Sequence, residues 1–274
     1  MTGFGKSHGA LTVVNAIASG FGSAFGINLE TRAEADIRKK SGFTLEINGI
    51  ESSPKFAELL IHEISPEIKG AAVKTFSDIP LSMGLKSSSA AANAILLASA
   101  DALGVEISPL ELLKKNTRAS INAGVSITGA FDDAAACLLG GLVFTDNKNC
   151  EIVSRREMPE GISAVIHLPK YITPKSVFPS DKLREKKSEV EKIYLHALDG
   201  DVFKAMYDNG KCTCEALGIS TKTADFALSC GAKAAGLSGT GPATGILVDS
   251  KNLEEFLEKF GRTDCIVTNL WEGK

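Results

Sequence analysis

The stretch PLSMGLKSSSAAANA, residues 80–94, constrains the fold more than any other. A turn bearing Gly84 runs into Lys86 and three consecutive serines, then into alanines of high helix propensity. The pattern predicts a loop that becomes a helix near residue 87. One serine at such a start is explained by capping, because its hydroxyl accepts a hydrogen bond from an unpaired backbone N–H. Gly84, Lys86, Ser87, Ser88 and Ser89 together exceed that need. A helix N-terminus has free N–H groups and a partial positive charge, so a phosphate fits there. Capping and phosphate binding both stay open on this stretch alone.

Helical patterns cover 87–103, 108–124 and 128–139; Ser108-Pro109 opens the second, and Gly140-Gly141 stops the third. Others lie at 53–65, 180–198, 201–217, 221–231 and 252–261. Segment 10–38 holds two β-leaning stretches around Gly20-Phe21-Gly22, and strand-like runs recur at 43–48, 71–79, 142–146, 162–168 and 263–270. Strands and helices alternate throughout, so α+β or α/β is the class. With 274 residues, the chain suits one large domain or two modest ones. The polar, turn-rich segment 146–161 is the expected hinge, dividing the chain into 1–150 and 151–274.

The formal net charge of −3 and the lack of a basic block argue against a nucleic-acid surface. DKLREKKSEVEKIY, residues 181–194, alternates in sign and reads as a solvated helix face. No run approaches the roughly 20 apolar residues of a membrane span. The N-terminus lacks signal-peptide organisation, so a cytoplasmic location is expected. None of the six cysteines forms a CxxC pair, and reduced thiols are the simplest reading.

Two further features carry chemistry. KAAGLSGTGPATGIL, residues 233–247, places Gly236, Gly239 and Gly241 on a strand-turn-strand. It is either a tight hairpin or the second wall of a cleft. Asp132 and Asp133 are consecutive on a helical pattern, so their side chains point about 100° apart and do different work. Both are favoured in a first helical turn by the helix dipole. The apolar neighbours direct one of them at a buried site, where a carboxylate needs a partner or a function.

These three pieces resemble one known set. Pro80, Gly84, Leu85, Ser87 and Ser88, followed by alanines, resemble the phosphate-binding motif of the GHMP kinases. Residues 236–243, GLSGTGPA, resemble that superfamily's C-terminal glycine motif in its homoserine-kinase form. Asp133 stands seven residues before Gly140, the spacing of the catalytic Asp in mevalonate-kinase-like members. GLKSSSAAANA, SHGALTVVNAIASGFGSAFGINL and ITGAFDDA together resemble the archaeal-type shikimate kinases.

The resemblance implies an α+β GHMP kinase fold, with an N-terminal ribosomal-protein-like α/β domain and a C-terminal ferredoxin-like domain. It implies ATP and Mg2+, with the phosphates on Pro80, Gly84, Leu85, Lys86, Ser87, Ser88, Ser89 and Ala90, and on Gly239 and Gly241. Ser88 matches the family's metal-binding serine. Lys86 would add charge at the phosphates, or be an exposed loop lysine. Asp133 would orient or deprotonate the hydroxyl of shikimate, with Asp132 as the rival. An ungapped count puts Asn122 where mevalonate-kinase-like members carry a magnesium-binding Glu. Thr173, Lys175 and Ser238 are the expected substrate contacts, and Lys6, Lys170, Lys175 and Arg184 the candidates for a substrate carboxylate. His8 is expected to face the cleft and His62 to be structural. A homodimer is admitted as a partner; nucleic acid and membrane are not. The alternatives are homoserine kinase or another GHMP small-molecule kinase, or a non-catalytic ligand-binding regulator.

Overall fold

A computed structural model of the chain describes residues 1–38, 41–126, 128–170 and 180–273. The expected contacts Thr173 and Lys175 lie outside the described residues. The chain begins with a long hairpin, β1 (Thr2–Val14) and β2 (Phe21–Ile37), joined through the short helix α1 (Ala16–Ser19). On its other side β2 pairs with β5 (Gly70–Ser77) along residues 31–37 and with β6 (Leu142–Asp146) along residues 21–25. Outward from β5 lie β3 (Gly42–Ile47), parallel to it, and the short β4 (Ile50–Ser52). β7 (Glu151–Arg156) closes the opposite edge against β6. The first sheet therefore runs on to Arg156, past residue 150.

Helices α2 (Lys55–Ile64), α3 (Ser87–Leu103), α4 (Pro109–Asn122) and α5 (Phe131–Leu139) pack together, with α3 and α5 on β1 and β2. The strand β1 starts eight residues before the expected β-leaning segment. Glycines normally weaken a strand, yet here they admit the helix. A Cβ at Gly3 would stand 2.2 Å from the Ala102 nitrogen, and one at Gly5 would stand 2.1 Å from the Ala94 oxygen. A glycine strand and an alanine helix thus approach each other closely, which explains why α3 buries Ala92, Ala94, Ala98 and Ala102.

The second sheet has the order β11-β8-β10-β9, antiparallel throughout. Its strands are β8 (Ile162–His167), β9 (Ala234–Leu237), β10 (Thr244–Asp249) and β11 (Cys265–Asn269). The helices of this half are α6 (Ser180–Glu185), α7 (Lys187–Leu198), α8 (Val202–Leu217), α9 (Lys222–Ser229) and α10 (Leu253–Phe260). The expected helix at 180–198 is two helices that meet at Lys186. One buried cluster spans both sheets, joining Leu11, Phe25 and Phe144 to Ile162, Met206 and Leu247. The chain end returns to the first sheet, where the Trp271 N–H donates to Gly26 and its carbonyl accepts from Gly141. This mixed α+β body holds the two glycine loops in contact.

Candidate active site

Hydrogen bonds join the turn after β9 to the loop before α3 and to β1. The Ser238 hydroxyl donates to the Gly84 carbonyl at 2.8 Å, and the Gly239 N–H donates to Thr12 Oγ1 at 2.8 Å. Gly84 has φ +82, and a Cβ there would lie 2.1 Å from the Ser238 oxygen. Only glycine tolerates both the dihedral and the approach. Beside this junction is a cavity of about 260 Å3, with Gly84, Lys86 and Ser87–Ser89 on one wall and Gly239 and Gly241 on another.

Not every expected contact reaches that cavity. Ser238 is fully buried and its hydroxyl is committed to Gly84, so it joins the loops instead of facing a substrate. Leu85 and Ala90 belong to the apolar core, and the Ala90 N–H donates to the Lys86 carbonyl. Pro80 is half-buried and stands off the cavity wall.

The start of α3 bears on the capping reading of its serines. Its N-cap is Lys86, in the left-handed conformation (φ 66, ψ 26), and no side chain caps it. The three serines are the first helical residues, and their hydroxyls are not spent as the helix's cap. A non-glycine residue held in this region costs on the order of 1 kcal/mol. The Lys86 side chain is buried, and its Nζ lies 2.9 Å from Asp133 Oδ1. The reading of Lys86 as an exposed loop lysine is thereby corrected.

Helix α5 also starts without a side-chain cap, at Ala130 with φ 50. Asp132 and Asp133 occupy its first turn and diverge as their spacing requires. Asp133 meets Lys86 and keeps a side-chain exposure of 21%. Asp132 is buried against Gly22, where a Cβ would fall 2.4 Å from its Oδ2. The Asn147 amide donates to Asp132 Oδ1 at 2.8 Å, and the Asp132 N–H donates back to Asn147 Oδ1 at 3.1 Å. Burial first, then the charge of Asp133, raise the Asp132 pKa to about 7; Lys86 and Asn147 oppose the shift. Asn147 has no distinguishing sequence signal, since an Asn after Asp146 reads as a turn former.

A second polar group was equally hidden in the sequence. Asn116 donates to Asn93 Oδ1 at 2.8 Å and to the Ser89 carbonyl at 3.2 Å. Asn93 donates onward to the Ala134 carbonyl at 2.9 Å, and Ser120 donates to Asn116. These buried bonds tie α3, α4 and α5 into one scaffold. Asn122, by contrast, is exposed and off the cavity; the α4 side chain on the wall is Ser120. Helix α4 therefore offers a hydroxyl where a magnesium-binding carboxylate was sought. Among the described residues no group of three His, Cys, Asp or Glu gathers as a metal cluster.

The remaining candidates divide. Lys6 is half-exposed and paired with Glu30 at 3.2 Å, and Lys170 is exposed. Arg184 lies on a second recess of about 390 Å3, together with Lys148 and Lys187. That recess shares Ala16, Ile17 and Thr128 with the first cavity. His8 does not face the cleft: it is buried and stacked on Trp271 at 3.7 Å between ring centroids. Burial, with help from Lys6, lowers its pKa to about 4. His62 bonds the Ile68 carbonyl at 2.9 Å.

Known proteins share this architecture and much of this sequence. The family model for the GHMP kinases N terminal domain matches residues 53–141. The shikimate kinase of Methanococcoides burtonii is 44% identical, over 97% of this chain and 95% of its own. The shikimate kinase of Methanosarcina acetivorans is 41% identical, over 92% of this chain and 87% of its own. Among solved structures, a homoserine kinase from Cytophaga hutchinsonii superposes with a TM-score of 0.74 at 18% identity, covering 98% of this chain and 96% of that one. The Methanococcus jannaschii mevalonate kinase gives a TM-score of 0.75 at 15% identity, covering 97% and 98%.

Proposed function

The chain belongs to the GHMP kinase family, alongside the archaeal shikimate kinases, and we propose that it transfers the γ-phosphoryl group of ATP to a hydroxyl of shikimate. The observation that carries the reading is the uncapped start of α3, which shares one cavity with the Lys86–Asp133 ion pair.

Phosphoryl transfer demands positioning and charge neutralisation more than covalent chemistry. The free N–H groups of Ser87–Ser89, at the positive end of α3, suit the phosphates of ATP. Gly239 and Gly241 let backbone approach from the other side. Lys86 brings a buried ammonium to the place where negative charge shifts during transfer. Asp133 accepts the substrate hydroxyl's hydrogen bond and aims its oxygen at phosphorus.

The donor set fits magnesium, a hard ion that keeps waters and phosphate oxygens instead of an all-protein cage. Ser88 would offer it a hydroxyl oxygen, and the ion would neutralise phosphate charge. The recess holding Arg184, Lys148 and Lys187 suits the substrate's carboxylate, with Arg184 the bidentate partner. No carboxylate lines it among the described residues, which favours an acid over an amino acid bearing an ammonium. No described helix is long and apolar enough to cross a membrane. All six cysteines are free, which suits the cytoplasm.

The test is ADP release with Mg-ATP against shikimate, homoserine, mevalonate and galactose, for the wild type and Asp133→Asn. We expect shikimate turnover that falls about 10³-fold in the variant with ATP binding retained, the scale of a lost acid–base group. Turnover of another alcohol alone would overturn the substrate. ATP binding without turnover of any alcohol would point to the regulatory reading.

A further inference from the structure

We propose that Gly239 is a positioning residue for Lys86: the side chain it lacks leaves the space in which the Lys86 ammonium stands beside Asp133. This rests on the kinase reading above and adds to it what holds the lysine in place. A Cβ built at Gly239 would stand 2.8 Å from Lys86 Nζ, closer than real Cβ atoms come to any heavy atom. Its next neighbours among the described residues, the Gly84 oxygen at 3.5 Å and Cα at 3.8 Å, are at ordinary contact distance. A methyl group here would therefore crowd one group, the ammonium, and the end of a flexible side chain yields before backbone does. The same Nζ lies 2.9 Å from Asp133 Oδ1, on a lysine side chain only 5% exposed. Displacing it means leaving Asp133.

The wall behind the ammonium is fixed. The Gly239 N–H donates to Thr12 Oγ1 at 2.8 Å, and its carbonyl accepts from Asn15 Nδ2 at 3.1 Å. Asn15 is held in turn, since its N–H donates to Asn209 Oδ1 on α8 at 3.0 Å. One residue earlier, the Ser238 hydroxyl donates to the Gly84 carbonyl. The turn after β9 is thus anchored to the first half of the chain at residues 12, 15 and 84, and both backbone groups of Gly239 are committed.

Two reasons could place a glycine here, and they separate. Gly239 has φ +59, in the left-handed region. Yet Lys86 at φ 66 and Ala130 at φ 50 occupy that region in the same protein without being glycine. The dihedral alone does not demand glycine; room for the ammonium does. Gly218 offers the comparison, with φ +68 and nothing within 4 Å of its built Cβ. A cation fixed before the substrates arrive needs no rearrangement when charge shifts, which is what makes preorganised groups effective. The second half of the chain thereby sets a group carried by the first.

The experiment is shikimate turnover at saturating Mg-ATP for Gly239→Ala, Lys86→Met and the two combined, with Gly218→Ala as the control for backbone strain. Urea midpoints of all variants and a crystal structure of Gly239→Ala accompany it. Gly239→Ala should lower kcat about 100-fold, the scale of a misplacement near 1 Å. Methionine ends one atom short of the ammonium, so on top of Lys86→Met the same substitution should change kcat less than about twofold. Gly218→Ala should lower the urea midpoint about as much as Gly239→Ala and keep wild-type kcat. In the crystal, Lys86 Nζ and Asp133 Oδ1 should separate beyond about 4 Å, the reach of an ion pair. A full loss on top of Lys86→Met gives Gly239 a role that does not pass through the lysine and overturns the assignment, as does an ion pair kept at 2.9 Å in the variant. A wild type that turns over no shikimate sinks the substrate reading instead, and the crystal structure then decides the seat of Lys86 by itself.

Discussion

Helices α3 and α4 sit side by side in the first half of the chain, and both begin with serine. They begin in opposite ways. At α4, Ser108 is the N-cap in extended conformation, its hydroxyl accepts from the Glu111 N–H at 3.3 Å, and Pro109 fills the first position. The protein satisfies that helix start by itself. At α3, the cap is a left-handed lysine whose side chain turns away to Asp133, and the serines stand one position too late to cap. Among the described residues no side chain caps its first turn. The same residue type thus caps one helix and is left uncommitted to capping at the other; backbone register at the first turn decides which.

The contrast can be broken by substitution, starting with the largest effect. Lys86→Met should lower kcat about 10³-fold, roughly 4 kcal/mol of transition-state stabilisation, measured at saturating ATP and shikimate. A variant that keeps wild-type kcat and loses only stability would make α3 another structural helix start. Ser88→Ala should cost about 30-fold in kcat, roughly 2 kcal/mol, with the urea midpoint unmoved. If the midpoint fell instead, that serine would be acting as a cap after all. Ser108→Ala should do the reverse. It should destabilise the protein by about 1 kcal/mol in urea unfolding and leave kcat at its wild-type value. Activity lost there would blur the distinction between the two helices.

Much of the fold was legible because its signals are local. Ser108-Pro109, Gly104 and the apolar spacing set the bounds of α3 and α4 within a residue or two. What escaped were elements whose stability lies elsewhere in the chain. TGFGKSHG is a strand only because α3 needs glycines beneath its alanines. IES and EIVSRR, in β4 and β7, are polar edge strands with little burial pattern of their own. Gly140-Gly141 read as a helix stop. It also leaves room for the chain end, since a Cβ at Gly140 would stand 2.3 Å from the Gly273 nitrogen.

The site divides along the same line. Sequence alone placed lysine and serines at a helix start, two carboxylates about 100° apart on another helix, and glycines in two turns, because each follows from neighbours within four residues. Tertiary structure decided which carboxylate meets Lys86 and which meets Asn147. Helical periodicity sets the angle between Asp132 and Asp133, but not how the helix is rolled about its axis. That roll is fixed by burying the apolar face of α5 on β1 and β2, where Gly22 leaves space for one carboxylate and turns the other toward the cavity.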